Sequence, residues 1–222
     1  MKDYSNYTKV DTSEKIKRDA EWMLEISLEG YASNECVIAP NGDFSVQFNT
    51  KVILSQKWDS DGEAMKIIGR INEIERGNYV VYDSETWLVM TKPEDNGVYR
   101  KAEIHLCSAT FPLKENDVKT LIGTDKLGRP IYDTIKGTVV DIPCVIKMND
   151  ASVSIAQTNQ PINSLDNKIV VTIPYREAKS IVHDAIFEMY GMEYRIIRID
   201  YSKSINGIGL LKITGEMLRE DE

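Results

Sequence analysis

Histidine is scarce in this chain of 222 residues: His105 and His183 are the whole supply. Neither brings a nucleophile, a base and an orienting group together in the sequence, so no enzymatic activity and no cofactor are expected. His183 precedes Asp184, but neighbours on a strand point to opposite faces, and the pair is not read as a relay. Cysteine is sparse as well. Cys36, Cys107 and Cys144 lie far apart and form no Cys-x-x-Cys pair, which argues against a disulfide framework or a zinc site. Each sits among apolar neighbours, where a free thiol behaves as a small hydrophobe. Positive charge is outnumbered, with 27 Lys and Arg against 35 Asp and Glu and a formal net charge of −8. That balance is the opposite of a surface built mainly to grip DNA phosphates. No run reaches the roughly 18 apolar residues needed to span a bilayer. Residues 1–19 lack the apolar core of a signal peptide, so a soluble protein without membrane contact is expected.

Two ligand motifs are incomplete. Asp59-Ser60-Asp61-Gly62-Glu63 opens like a calcium loop, but its twelfth position is Arg70 where a bidentate Glu is needed, so a polar turn is the reading. The glycines of residues 123–129 lack the Gly-Lys-Ser/Thr ending of a P-loop.

What the chain does have is β patterning, concentrated in residues 186–213, IFEMYGMEYRIIRIDYSKSINGIGLLKI. Tyr190-Gly191-Met192-Glu193 reads as a turn, Tyr194, Ile196, Ile197 and Ile199 as a strand, and Asn206-Gly207 as a hairpin signal before the next strand. Residues 78–104, NYVVYDSETWLVMTKPEDNGVYRKAEI, repeat the order in weaker form. An internal duplication and two hairpins of one common type are both open readings of this match.

The remainder divides around these units. Residues 1–30 read as an arm bearing Tyr4 and Tyr7 followed by a helix over 15–29, whose stripe is Ile16, Ala20, Met23, Leu24, Ser27 and Leu28, with Gly30 as the stop. The stripe suits either a lid over the first β lobe or contact with a neighbouring subunit. Residues 31–110 form the first β lobe, within which Phe44, Val46 and Phe48 alternate with Ser45 and Gln47 as a half-buried strand does. Residues 111–141 hold glycines, prolines and no helical stripe, and read as a connecting loop or β-hairpin arm over 121–132. Residues 142–222 form the second β lobe, with a frayed acidic end over 216–222. The fold class is therefore mainly β, two small antiparallel barrel-like or sandwich-like lobes with one amino-terminal helix.

Lys92, Arg100 and Lys101, and later Arg195, Arg198 and Lys203, lie near tyrosines. Such groups serve protein interfaces as readily as nucleic acid. The acidic balance favours a protein partner, with modest contact to passing DNA left open.

Three stretches resemble the neck proteins of tailed bacteriophages, the head-completion, head-closure and head–tail joining type. Residues 186–213, with Tyr190-Gly191-x-x-Tyr194-Arg195-Ile196, are similar to the closing strands of those small barrels. Residues 120–146, with Asp-x-x-Gly-x-Pro before a Val-rich strand, resemble their long loop, and residues 77–107 resemble a segment of minor virion proteins. The resemblance implies a virion protein without catalytic role, a ring of self-copies between portal or adaptor and tail proteins. It implies a channel-gating loop at Thr124, Asp125, Lys126, Leu127, Gly128 and Arg129. Trp22, Met23, Tyr132, Tyr190, Tyr194 and Arg195 are the corresponding subunit-interface candidates. A tail-terminator or baseplate hub subunit is the nearest alternative; a ligand-binding module or a hydrolase is the alternative of another class.

Overall fold

The computed structural model describes residues 12–57, 62–115, 118–124, 130–135, 137–148 and 168–218. The chain divides into two compact units, Met1–Leu106 and Cys107–Glu222. The first begins with a single helix, α1 (Thr12–Glu29), and then holds β1 (Ser33–Ala39), β2 (Phe48–Gln56), β3 (Ala64–Arg70), β4 (Tyr79–Tyr82), β5 (Glu85–Val89), β6 (Glu94–Asp95) and β7 (Tyr99–Leu106). All ladders are antiparallel, and β1 pairs both β2 and β4 while β7 pairs both β3 and β5. With β2–β3 and β4–β5 completing the circuit, six strands close into a barrel that leaves no open edge among them. Its core is Cys36, Ile38, Val52, Ile67, Ile74, Val80, Trp87, Val89, Ala102 and Ile104.

The second unit comprises β8 (Ala109–Lys114), β9 (Val118–Thr124), β10 (Pro130–Ile135), β11 (Val139–Met148), β12 (Lys168–Pro174), β13 (Ile186–Met189), β14 (Met192–Asp200), β15 (Ser204–Ile205) and β16 (Ile208–Met217). Its sheet runs β13-β14-β16-β12-β11-β8, with β15 beside β16. Set against the first unit, β8 takes the place of β1, β11 of β2, β12 of β3, and β13 to β16 those of β4 to β7. Every ladder of the first barrel then recurs in the second except β1–β4. At that position β8 and β13 meet through side chains, with the rings of Phe111 and Phe187 5.1 Å apart. The likeness extends to the connections: Ile74 between β3 and β4 and Ile181 between β12 and β13 are both buried. The repeated order noticed in residues 78–104 and 186–213 is thus part of a repeat of the whole barrel topology.

The turns form where the sequence supplies left-handed backbone. Tyr190 (φ 56°) and Gly191 (φ 72°) join β13 to β14; Asn206 (φ 51°) and Gly207 (φ 78°) join β15 to β16; Asp83 (φ 51°) and Ser84 (φ 64°) join β4 to β5. Two-residue hairpins with both central residues at positive φ match the twist of the strands they connect.

Two sequence expectations need correction. Phe44–Val46 is a turn of 3-10 helix, and only Phe48 enters β2. The Asp43 carboxylate accepts from the Ser45 N–H at 2.9 Å and from the Ser45 hydroxyl at 2.7 Å, and this local capping displaces the extended form. On α1 Leu24 and Leu28 of the stripe are buried, whereas Ile16 and Met23 are exposed, so the barrel covers one part of the stripe and leaves the other open to contact. Glu216 and Met217 belong to β16, paired with Arg195 and Tyr194, so the acidic end begins later than expected. The arm with Tyr4 and Tyr7 lies outside the described residues.

Helix α1 packs on β1 and β2, and Arg70 of β3 ties it down. The guanidinium donates to Glu25 through Nε at 2.9 Å and Nη2 at 2.7 Å. These bonds hold the Glu25 carboxyl below the usual carboxylate range. Its contribution is therefore fully present above the unfolded value near 4.5 and lost as pH falls through the lower folded value. Glu25 is half exposed, so Glu25→Gln is expected to cost only about 0.5 kcal/mol at neutral pH. Urea titrations should show that difference at pH 7 and none once the wild-type carboxyl is protonated.

Candidate interaction surfaces

Among the described residues, exposed apolar side chains gather on α1 and around two turns of the second unit. On α1, Ile16 (64% exposed), Trp22 (65%), Met23 (65%) and Ile26 (47%) lie on the side away from Leu24 and Leu28. At 3.6 residues per turn Trp22 and Ile26 lie opposite Leu24 and Leu28, and Ile16 and Met23 lie to one side, so the helix is apolar both towards the barrel and away from it. Met23 also edges a cleft of about 360 Å³ between α1 and the barrel wall, beside Ile53, Ile68 and Val98. An exposed tryptophan amid aliphatic side chains is the composition of an interface centre.

In the second unit Ile186, Tyr190 and Met192 are exposed at the β13–β14 hairpin, and Tyr201, Ile205 and Ile208 are exposed around the β15–β16 turn, at the other end of the β14–β16 ladder. Tyr194 corrects the sequence reading: it is buried in the core of the second unit, stacked on Phe187 at 5.6 Å. The alternation of β14 explains this, since Tyr194 and Ile196 share the inward face and Arg195 the outward one. Arg195 approaches Glu216 at 3.7 Å across the β14–β16 ladder.

Strands β9 and β10 form a two-stranded sheet of their own, with Tyr132 opposite Leu121 and a bulge between Ile131 and Tyr132. Thr124 ends β9. Asp125, Lys126, Leu127, Gly128 and Arg129 lie outside the described residues, as does the calcium-like run 59–61. In the first barrel the matching connection, between β1 and β2, is the short stretch 40–47. The β9–β10 hairpin is therefore an insertion into the repeated topology.

Of the basic residues near tyrosines, Arg100 and Arg195 meet acids. Arg100 donates to Glu75, to Asp95 Oδ2 at 3.2 Å and to the Ile74 carbonyl at 3.3 Å. Arg70 also reaches Glu73 at 3.5 Å, and Lys57 meets Glu103 at 2.8 Å. Such pairing leaves less positive field for phosphates than the residue count suggests.

Burial pushes the thiols of Cys36 and Cys144 up to about 12 and raises that of Cys107 further, so all three remain thiols at neutral pH. His105 Nε2 meets Glu103 Oε1 at 2.8 Å on β7, as a strand residue. His183 Nδ1 meets Asp184 Oδ2 at 2.8 Å, which corrects the reading of that pair. The two residues sit in a turn before β13, where Asp184 has φ 65°, and the opposite-face rule for strands does not apply. Among the described residues no group of three His, Cys, Asp or Glu side chains is placed to hold a metal ion.

Comparisons with known proteins fit the two-unit division. Solved structures of K. pneumonia MrkH cover 92% of this chain and 85–86% of theirs at 13–14% identity and a TM-score of 0.21, too loose an overlap to inform this fold. The SPbeta prophage-derived protein YomX of Bacillus subtilis (strain 168) is 33% identical over 221 residues, 97% of each chain. The model of the YomX N-terminal domain matches residues 6–106 and that of the YomX C-terminal domain residues 110–216, one for each unit. With both units matched and a relative this similar along its whole length, the chain belongs to the YomX family.

Proposed function

We propose that the protein is a structural component of a tailed-phage particle, a neck subunit that assembles with its own copies into a ring joining the DNA-filled head to the tail. The observation that carries this reading is the similarity, over 97% of both chains, to a prophage-derived protein. The exterior supports it. Ile186, Tyr190 and Met192 at one end of the β14–β16 ladder, and Ile205 and Ile208 at the other, are exposed apolar side chains of the kind that association covers. The engaged arginines favour protein partners, portal or adaptor on one side and tail proteins on the other. The reading includes no catalytic role, no cofactor and residence in the virion. Residues 124–129, which join β9 to β10 in the sequence, keep the gating role assigned from the resemblance.

Sedimentation of the purified chain is the test. A closed ring, or binding to preformed portal or tail complexes, is the expected result. A protein that stays monomeric at high concentration and binds neither complex overturns the reading.

A further inference from the structure

The charges of α1 run against its macrodipole. A helix favours acidic side chains at its start and basic ones at its end. Here Glu14 follows that rule, but Lys15, Lys17 and Arg18 outnumber Glu14 and Asp19 in the first half, Glu21, Glu25 and Glu29 carry the second, and the final turn has no basic residue. The barrel accounts for part of this pattern: Arg70 engages Glu25, and Lys17 acts on Asp95. Lys15, Arg18, Glu21 and Glu29 are exposed, and Lys15, Arg18 and Glu29 lie beside Trp22 and Ile26 of the outward set.

We infer that a second copy of the chain docks on this face, its α1 antiparallel to the first about a twofold axis. The reversed charge order then becomes complementary. The basic first turns of each helix lie beside the acidic last turns of the other, and the two macrodipoles oppose. A parallel pair would set basic against basic and acidic against acidic. Trp22, near the middle of the helix, falls close to the axis, where its indole meets its own counterpart in an isologous contact. Such a contact pairs copies and does not by itself close a ring, so it stands apart from the ring-forming surfaces.

Sedimentation equilibrium of the full chain tests it with exposed-site variants, far-UV circular dichroism confirming that each is folded. Lys15→Glu with Arg18→Glu makes both halves of α1 acidic; Glu21→Lys with Glu29→Lys makes both halves basic. Each variant alone is expected to self-associate roughly tenfold more weakly than wild type, and an equimolar mixture of the two to recover the loss. In a parallel pair either swap would exchange one like-charge contact for another and leave the affinity unchanged. Trp22→Ala is expected to weaken association roughly thirtyfold. A wild type without this association, swaps that associate as wild type, or a mixture no tighter than its components would overturn the inference. Dimers that grow no further uphold it and count against the ring. Large assemblies unmoved by every α1 variant overturn it and leave the ring standing.

Discussion

Gly209→Ala is expected to destabilise the second unit by about 3 kcal/mol or more, the largest single-residue effect anticipated in the chain. Gly209 has φ 128°, a conformation that L side chains rarely adopt, and this alone costs about 1–3 kcal/mol. Space is the second obstacle. A Cβ there would collide with the Lys203 carbonyl oxygen and lie 3.0 Å from the Ser204 Cα, and both are backbone atoms that no rotamer change can clear. The displaced backbone is itself bonded: Leu210 N–H donates to Lys203 O at 3.1 Å, and Tyr175 N–H to Gly209 O at 2.9 Å. Relieving the clash therefore disturbs the β15–β16 turn and the end of β12 together. Gly97→Ala provides the control, since Gly97 has φ 81° but nothing within 4 Å of the added carbon. Urea unfolding of the two variants should separate strain from collision, with Gly97→Ala costing about 1 kcal/mol. A Gly209→Ala cost no greater than that control would show that the turn moves freely.

Excising residues 116–137 and closing the gap with Asn-Gly is expected to abolish head–tail joining while leaving the barrel folded. The geometry for closure already exists. The β8–β11 ladder ends with Lys114 opposite Val139, and Glu115 N–H donates to the Thr138 carbonyl at 2.9 Å. The ends left by the excision are thus neighbours, as a two-residue hairpin requires. Shortening this connection from 22 residues to two changes loop-closure entropy by about 2 kcal/mol in favour of the folded state. Stability should not fall, so a loss of several kcal/mol would mean that β9 and β10 are structural. In a phage complementation assay the excised chain should give heads that fail to join tails. Normal particles from that variant would end both the gating assignment and the functional reading of the hairpin.

The local rules were legible in the sequence to different depths. Asn206-Gly207 and Tyr190-Gly191 announced their hairpins, because positive φ is tolerated by few residues and the strands on either side alternate cleanly. The helix was legible from its spacing and from Gly30, but its orientation was not. Ile16 and Met23 look as inward as Leu24 and Leu28 on a wheel, and only packing on β1 and β2 selects between the faces. Phe44 and Val46 misled because alternation is a statistical sign of a strand, while the Asp43–Ser45 hydrogen bonds act at shorter range. Tyr194 was assigned outward for its type. Its place on the inward face of β14 follows from register, which a partner strand sets.

By itself the sequence determined the mainly β class, the tight turns, one helix and the scarcity of catalytic side chains, since each depends on residue type and near neighbours. Tertiary structure decided that β7 joins β3 to β5 and closes the first barrel, that the second unit repeats that order, and that β9 and β10 are an insertion. It also decided that α1 turns Trp22 to the outside. Those facts rest on pairings between residues distant in the chain, and such pairings form only when the collapsed barrel selects one register among many that the same alternation would allow.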